Sequence, residues 1–385
     1  MIDYEFIVEK ENYFPGFEEK WIRLNSEEFF INNNKLDEIV NFAITNEDEK
    51  SKNLKESISH WFKNVRNEPF HQIKGPFEER GKPSGLILKN GYIIKEWGDV
   101  KRVDMICSAT KSFLSTLLGV AIDEGRIKSI KDKVSDYIKD EKFHGKHNSQ
   151  ITWEHLVTQT SDWYGEIWGG YDWAERPSEY TKINELRNRK LNTPGTVFKY
   201  NNVRVNLLAY ALLLIFKKSL PEVFKEKIMK PIGASNTWKW FGYNDSWVDI
   251  NGKKIQSITG GAHWGGGLFI STEDAARYGL LFLNEGKWND TQVISKNWVK
   301  EATTPSCVNK SYGYMWWLNT KTNIPINGKL RHWEGIDEDI FYASGFGGNL
   351  IVVDKKNDIV IVTRWLNPQK NAEFMRKVIE ALKPI

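Results

Sequence analysis

The sequence predicts an α+β fold: an antiparallel sheet flanked by terminal helices, drawn from both ends of the chain, with a large helical insertion between them. Three observations predict it. Two apolar runs, Leu86-Ile87-Leu88 and Tyr92-Ile93-Ile94, flank Asn90-Gly91, and Asn-Gly between apolar runs is the strongest short-range signal for a β-hairpin. Short apolar runs bounded by turn residues return near the carboxyl end, at about 312–318, 340–344, 349–354 and 359–365. Between these groups, from Ser108 to about Ala302, the chain reads mainly as helices.

In chain order, residues 1–50 are polar and aromatic and read as an N-terminal extension to a single domain of residues 51–385. A helix is expected from about Ser51 to Val65, followed by the hairpin. The α/β part then covers about 51–107 and 303–385, and the helical part about 108–302. An apolar helix starts near Ser108. Pro194-Gly195 forces a turn, a short extended piece follows, and an apolar helix runs from about Val203 to Phe216. Lys356-Asn357-Asp358 supplies the turn between the last two strands, and a helix from about Asn371 to Leu382 ends the chain. There is no internal repeat and no low-complexity linker.

Composition narrows the function. A chain of 385 residues, 40% hydrophobic and 27% charged, has ample material for a core. A net charge of +4 is spread thinly, with acids interleaved among the bases, so no nucleic-acid partner is expected. No stretch of about 18 apolar residues occurs, so no membrane span is expected. The start, Met1-Ile2-Asp3-Tyr4-Glu5, is charged and lacks the apolar core of a signal peptide. With two cysteines, Cys107 and Cys307, there is no disulfide framework. These features together predict the cytoplasm. The histidines show no metal spacing such as H-E-x-x-H, and neither metal nor cofactor is expected. The sequence leaves the oligomeric state open.

Three segments carry chemistry. The first is Ser108-Ala109-Thr110-Lys111 at the start of an apolar helix. A serine hydroxyl needs a base to become a nucleophile, and residues three apart share a helix face, so Lys111 can reach Ser108. At a helix start the Ser108 N–H has no intrahelical partner and can face an oxyanion. The second is Tyr200-Asn201-Asn202, at a strand-to-helix junction. A tyrosine with a nearby cation can carry a proton, and Asn202 can donate and accept at once. The third is Ala343-Ser344-Gly345-Phe346-Gly347-Gly348, ahead of the strand Leu350-Ile351-Val352-Val353. Small residues such as Ser344 and Gly345 let a substrate approach the strand, and a backbone N–H at Phe346 can complete an oxyanion hole. Taken singly, each segment also has a plain structural reading: a helix cap, a packing tyrosine, a glycine-rich bulge.

In this order the three segments resemble the penicillin-recognising serine hydrolases, the class C β-lactamases, D-alanyl carboxypeptidases, esterases and 6-aminohexanoate-dimer hydrolase. Ser108, Lys111, Tyr200 and Asn202 match the S-x-x-K and Y-x-N motifs, and Ala343-Ser344-Gly345 stands where K-T-G or H-T-G is usual. Ile151 to Ser161, Gly265 to Asp274 and Tyr312 to Trp317 are similar to further stretches of the family. The resemblance covers the chain from about Ser84 onward. It implies a β-lactamase/transpeptidase-like fold and an acyl-enzyme mechanism, with Ser108, Lys111, Tyr200 and Asn202 catalytic and the Ser108 and Phe346 amides as oxyanion hole. Two departures stand out. Ala343 replaces the cation that holds the substrate carboxylate in lactam-binding members, which favours a small ester or linear amide as substrate; a β-lactamase or D-amino-acid peptidase is the alternative, and an acylated sensor without turnover a second. Asp162 follows Thr160-Ser161 where glycine is usual, which implies a reshaped loop.

Aromatic residues crowd that loop: Trp163, Tyr164, Trp168, Tyr171 and Trp173, from a chain with 17 tryptophans. Trp163 and Trp168 read as an apolar wall for an acyl or alcohol group, as packing under a long loop, or as a sugar platform. His263 is a candidate to face the pocket and replace part of the lost positive charge, with a satisfied structural histidine as its other reading.

Overall fold

A computed structural model describes residues 11–60, 63, 72–173, 188–261, 264–321 and 332–382. Its helices include α1 (Asn33–Thr45), α2 (Leu54–His60), α3 (Thr110–Asp123), α4 (Trp153–Val157), α5 (Asn202–Phe216), α6 (Thr272–Leu283) and α7 (Asn371–Ala381), with further short ones at Val134–Tyr137, Leu220–Phe224 and Lys296–Ala302. Its main strands are β1 (Ser84–Lys89), β2 (Tyr92–Trp97), β3 (Asp104–Met105), β4 (Lys239–Ile250), β5 (Lys253–Ile258), β6 (Gly267–Ile270), β7 (Trp317–Leu318), β8 (Phe341–Gly345), β9 (Asn349–Asp354) and β10 (Ile359–Arg364). Short 3₁₀ turns and two-residue ribbons fill the connections.

The main sheet has six strands in the order β7-β8-β9-β10-β1-β2, each pair antiparallel. The two ends of the chain therefore meet at its centre, where Ser84 faces Arg364 and Lys89 faces Ile359. Asn90 and Gly91 both take positive φ, 49° and 82°, as a tight hairpin between β1 and β2 requires. β9 and β10 are buried along their whole length. Helix α6 lies against β9, β10 and β1. Helices α1 and α7 pack on each other, α1 also touches β2, and Phe374 of α7 lies 6.1 Å from Trp97 of β2. The antiparallel sheet with terminal helices is as the sequence predicts.

Residues 11–50 are built into this body. Trp21, Ile31, Leu36, Ile39 and Ala43 are buried in the main core, and the Trp21 indole N–H donates to the Gly91 carbonyl at 2.7 Å. At about 25 cal/mol per Å² of apolar surface removed from water, anchors of this size contribute a few kcal/mol each.

Three stretches differ from the sequence reading. Residues 239–258, assigned there to the helical part, form the long hairpin β4–β5, which joins β3 and β6 in a second sheet of order β3-β6-β4-β5. Its tip is another Asn-Gly pair, with Asn251 at φ 54° and Gly252 at φ 80°. The run at 312–318 gives only a two-residue strand, because Met315 takes φ 61° and breaks the extension. The helix expected over Ser51 to Val65 begins at Leu54 and is described to His60.

The insertion is built around α3 and α5. All of α3 from Thr110 to Ala121 is buried, as is α5 from Asn202 to Leu213. Helices apolar around their whole circumference belong in the interior, and these two pack on each other. Among the described residues no helix is long and apolar enough to cross a membrane.

Candidate active site

The site is assembled where the main sheet, the second sheet and the buried helices meet. Strand β3 pairs with β6, and the Ile106 N–H continues that ladder to the Leu268 carbonyl at 3.0 Å. The chain then turns sharply: Cys107 takes φ 49°, a left-handed conformation uncommon for a residue with a side chain. Ser108 follows in a single 3₁₀ turn that feeds α3. From Asp104 to Ala121 Ser108 alone is not buried. The kink therefore presents one hydroxyl from an otherwise closed segment.

Lys111 lies one turn on and is 2% exposed. Its Nζ donates to Ser108 Oγ and to the Gly260 carbonyl, both at 3.0 Å. Gly260 is held in turn by its N–H donating to Asn206 Oδ1 of α5 at 3.1 Å. The adjacent Gly261 must be glycine: at φ 71°, a Cβ there would stand 2.0 Å from the Cys107 carbonyl oxygen. The lysine is thus fixed at both ends of its hydrogen-bonding reach, in a site with little water to screen it.

Tyr200 is 8% exposed. Its ring centre is 5.1 Å from Lys111 Nζ, and its ring stacks on Trp317 at 5.7 Å and meets Tyr312 edge-on at 6.4 Å. Asn201 caps α5, its side chain accepting the Arg204 N–H at 3.0 Å. Asn202, 4% exposed, opens that helix.

The third wall is the end of β8. Ser344 and Gly345 are partly exposed there, while Ala343 is completely buried. Gly345 lies against the Ser108 turn so closely that no side chain fits. Beyond it, Asn349 Nδ2 donates to the Phe346 carbonyl at 2.6 Å, and buried Arg364 donates to Asn349 Oδ1 at 3.2 Å and to the Ile270 carbonyl at 2.6 Å. These bonds fix the chain around the Phe346 amide. Burial pushes the Cys107 thiol up to about 12, although Lys111, Arg364 and the Phe346 N–H pull it down. Cys107 is therefore a packing residue beside Ser108.

The structure brings Ser108, Lys111 and Tyr200 together, with Asn202 at the start of α5 and β8 alongside. It separates the two tryptophans. Trp163 is fully buried and its indole N–H donates to the Lys142 carbonyl at 2.7 Å, which makes it a core side chain with no face for a substrate. Trp168 is half-buried, edge-on to Tyr210 at 5.6 Å. His263 lies outside the described residues. Sequence reasoning did not single out the Gly260 carbonyl or Asn206; the Gly260-Gly261 pair was the available signal. A groove of about 490 Å³, lined by Lys217, Trp240, Trp247, Lys253 and others, contains none of these residues.

Comparison with known proteins agrees with this fold. The family model described as Beta-lactamase matches residues 102–379. A protein of Escherichia coli O157:H7 assigned as a D-alanyl-D-alanine carboxypeptidase is 26% identical over 215 residues, 46% of this chain and 48% of that protein. The chain spans about half the length of these curated relatives. Among solved structures, a Bacillus anthracis protein assigned as a 6-aminohexanoate-dimer hydrolase superposes with a TM-score of 0.56 at 19% identity, over 78% of each chain. A family VIII carboxylesterase superposes with a TM-score of 0.53 at 18% identity, over 86% of this chain and 96% of its own. At these identities the likeness is one of fold.

Proposed function

The chain belongs to the beta-lactamase family and is a hydrolase of it, and from that premise we propose that it cleaves a carboxylic ester or a small linear amide through an acyl-enzyme on Ser108. The observation that carries this reading is the 3.0 Å contact between Lys111 Nζ and Ser108 Oγ, the one accessible side chain of its segment.

In this mechanism the Lys111–Tyr200 pair takes the Ser108 proton as Oγ attacks the substrate carbonyl. The negative charge formed on the carbonyl oxygen is met by the Ser108 amide and by the Phe346 amide, whose N–H also contacts the Cys107 thiol. Collapse of the intermediate breaks the bond to the alcohol or amine, which leaves with the proton held by the pair. Asn202 orients Lys111 and the substrate. Water, giving a proton to the same pair, then attacks the acyl-enzyme; the bond to Ser108 Oγ breaks, the pair returns that proton to Oγ, and the acid leaves. Lys111 and Tyr200 act as one unit on a single proton path.

Ala343 supports the ester or amide reading. It leaves β8 without the cation that would hold a substrate carboxylate beside the scissile bond. The carboxypeptidase relatives favour the rival, a D-amino-acid peptidase or β-lactamase. Labelling with a fluorophosphonate followed by mass spectrometry tests the nucleophile: the adduct is expected on Ser108, and Ser108→Ala is expected to lower turnover by roughly four to six orders of magnitude. An adduct elsewhere, or an active Ser108→Ala enzyme, overturns the mechanism. A panel of p-nitrophenyl esters, short amides and lactams decides the class. A burst without steady-state turnover on every member would instead identify an acylated sensor.

A further inference from the structure

Asp162 stands where the family usually has glycine, and the structure shows what its carboxylate does. Asp162 takes φ 42° at the end of the segment after α4. It accepts hydrogen bonds from Arg204 at 2.6 Å, from Arg189 at 3.0 Å, and from the Asn192 backbone and side chain at 2.6 and 3.1 Å. Asp172 completes the group, at 2.5 Å from Arg189 and 3.6 Å from Arg204. All four charged side chains are 5% exposed or less. Removing two carboxylates and two guanidiniums from water is costly, and apolar residues of similar volume often serve stability as well or better. A buried quartet is therefore best explained by the geometry it fixes.

That geometry concerns the Tyr200 turn. The segment 192–201 is fastened to residues 159–162 at successive points. The Asn192 N–H goes to Asp162, the Gly195 N–H to the Thr160 carbonyl at 2.8 Å, the Lys199 N–H to the Gln159 carbonyl at 2.9 Å, and the Asn201 N–H to Gln159 Oε1 at 3.1 Å. From the other side, Asn201 Nδ2 donates to the Asp172 carbonyl at 2.8 Å, and Asn201 Oδ1 accepts from the Arg204 backbone. Asn201 sits between Tyr200 and Asn202, and Arg204 is in the first turn of the helix that Asn202 opens. The ion quartet thus grips both flanks of the Y-x-N element without touching Ser108 or Lys111.

We infer that Asp162, with Asp172, Arg189 and Arg204, is a positioning clamp that holds Tyr200 and Asn202 in register with Ser108 and Lys111. This rests on the reading of Ser108 as nucleophile. The clamp acts on the rate of acylation and leaves substrate affinity largely alone, because it sets the distance over which the proton moves.

The test compares the parent with Asp162→Gly, with Asp162→Asn/Arg189→Gln, which removes one charge of each sign, and with Asp162→Glu. Should the uncompensated Asp162→Gly fail to fold, the charge-balanced pair is the variant that decides. Two readouts are taken: the pre-steady-state acylation rate with a p-nitrophenyl ester, and amide hydrogen exchange at Asn201 and Arg204. The clamp predicts acylation slower by about ten- to a hundredfold with KM within about threefold, exchange faster by at least about tenfold, and partial recovery of both in Asp162→Glu. A folded Asp162→Asn/Arg189→Gln enzyme with parental acylation and exchange overturns the clamp. Ser108→Ala runs alongside: if it retains activity, the nucleophile assignment falls, and the exchange arm still decides whether the quartet holds the turn.

Discussion

Gly345 and Ile106 touch backbone to backbone: a Cβ on Gly345 would stand 2.0 Å from the Ile106 carbonyl oxygen and 3.2 Å from the Ala109 nitrogen. The last residue of β8 therefore rests on the peptides either side of Ser108, and nothing larger than hydrogen fits between. Gly345→Ala must push β8 away from the Ser108 turn. Activity is expected to fall about a hundredfold or more, since a misplacement of about 1 Å costs that much, while the melting temperature falls by only several degrees. Paired measurement of kcat/KM and thermal unfolding checks this; an active Gly345→Ala enzyme would mean that β8 and the Ser108 turn can move apart freely.

Lys111→Ala and Tyr200→Phe are expected to lower kcat by similar large factors, and the double variant by little more than either alone. Residues acting as a unit give such non-additive losses. Losses that multiply in the double variant would show two independent paths for the proton.

Ala343 bears on the proposed substrate choice. A charge-assisted hydrogen bond to a carboxylate is worth about 1.5–3 kcal/mol, or about ten- to a hundredfold in binding. Without it, short-chain acyl esters are expected to show higher kcat/KM than penicillins, cephalosporins or D-alanyl peptides. Ala343→Lys is not a clean way to reverse this, because Ala343 is completely buried at the centre of β8 and an ammonium there would be desolvated. That variant is expected to lose stability before it gains lactam turnover. A parent enzyme that prefers lactams tenfold or more would overturn the ester reading.

Asp162 predicts acid sensitivity. Burial raises its carboxyl, but Arg204, the Asn192 N–H and Arg189 together outweigh burial and hold it below the ordinary carboxylate value. A carboxyl with a depressed folded-state value stabilises fully above its unfolded value, near ~3.9, and loses that contribution as pH falls through the folded one. The parent should therefore lose melting temperature steeply below about pH 4, and Asp162→Asn should flatten that limb. Parallel melting curves for the two proteins across that range would refute the assignment.

The two cysteines should differ sharply. Cys307 is exposed and Cys107 buried, with its thiol pushed up to about 12. Iodoacetamide at neutral pH is expected to modify Cys307 alone in the folded protein and both after denaturation, as read by intact mass.

Much of this was legible in sequence wherever the signal is local. Asn90-Gly91 fixes a hairpin by backbone preference alone, and the Ser108–Lys111 spacing fixes a contact through one helical turn. What escaped depends on distant partners. Lys239 to Ile258 carries its own Asn-Gly tip, but its pairing to Gly267–Ile270, which in turn pairs with Asp104–Met105, leaves no periodic trace. The polar character of residues 11–50 hides the few anchors, Trp21, Leu36 and Ile39, that bury it. Trp163 shows the limit of motif reasoning: its place in the loop was clear, while the direction of its ring depends on the Lys142 carbonyl that its indole finds. The substitution at Asp162 was visible, but not that Asp172, Arg189 and Arg204 converge on it.

The pairing of Ser84 with Arg364 has a consequence for biogenesis. A strand made early must wait for one made near the end before the centre of the main sheet can close, and contacts so distant in sequence fold slowly. During translation α3 and α5 can collapse on each other while β1 and β2, an isolated hairpin with bare edges, remain marginal. That sheet-closing step would then complete the wall formed by Gly345, so labelling of the nascent polypeptide is expected only after β8 to β10 leave the ribosome. Emergence of β10 from the ribosome, rather than formation of the helical half, should set the moment at which a fluorophosphonate first labels Ser108.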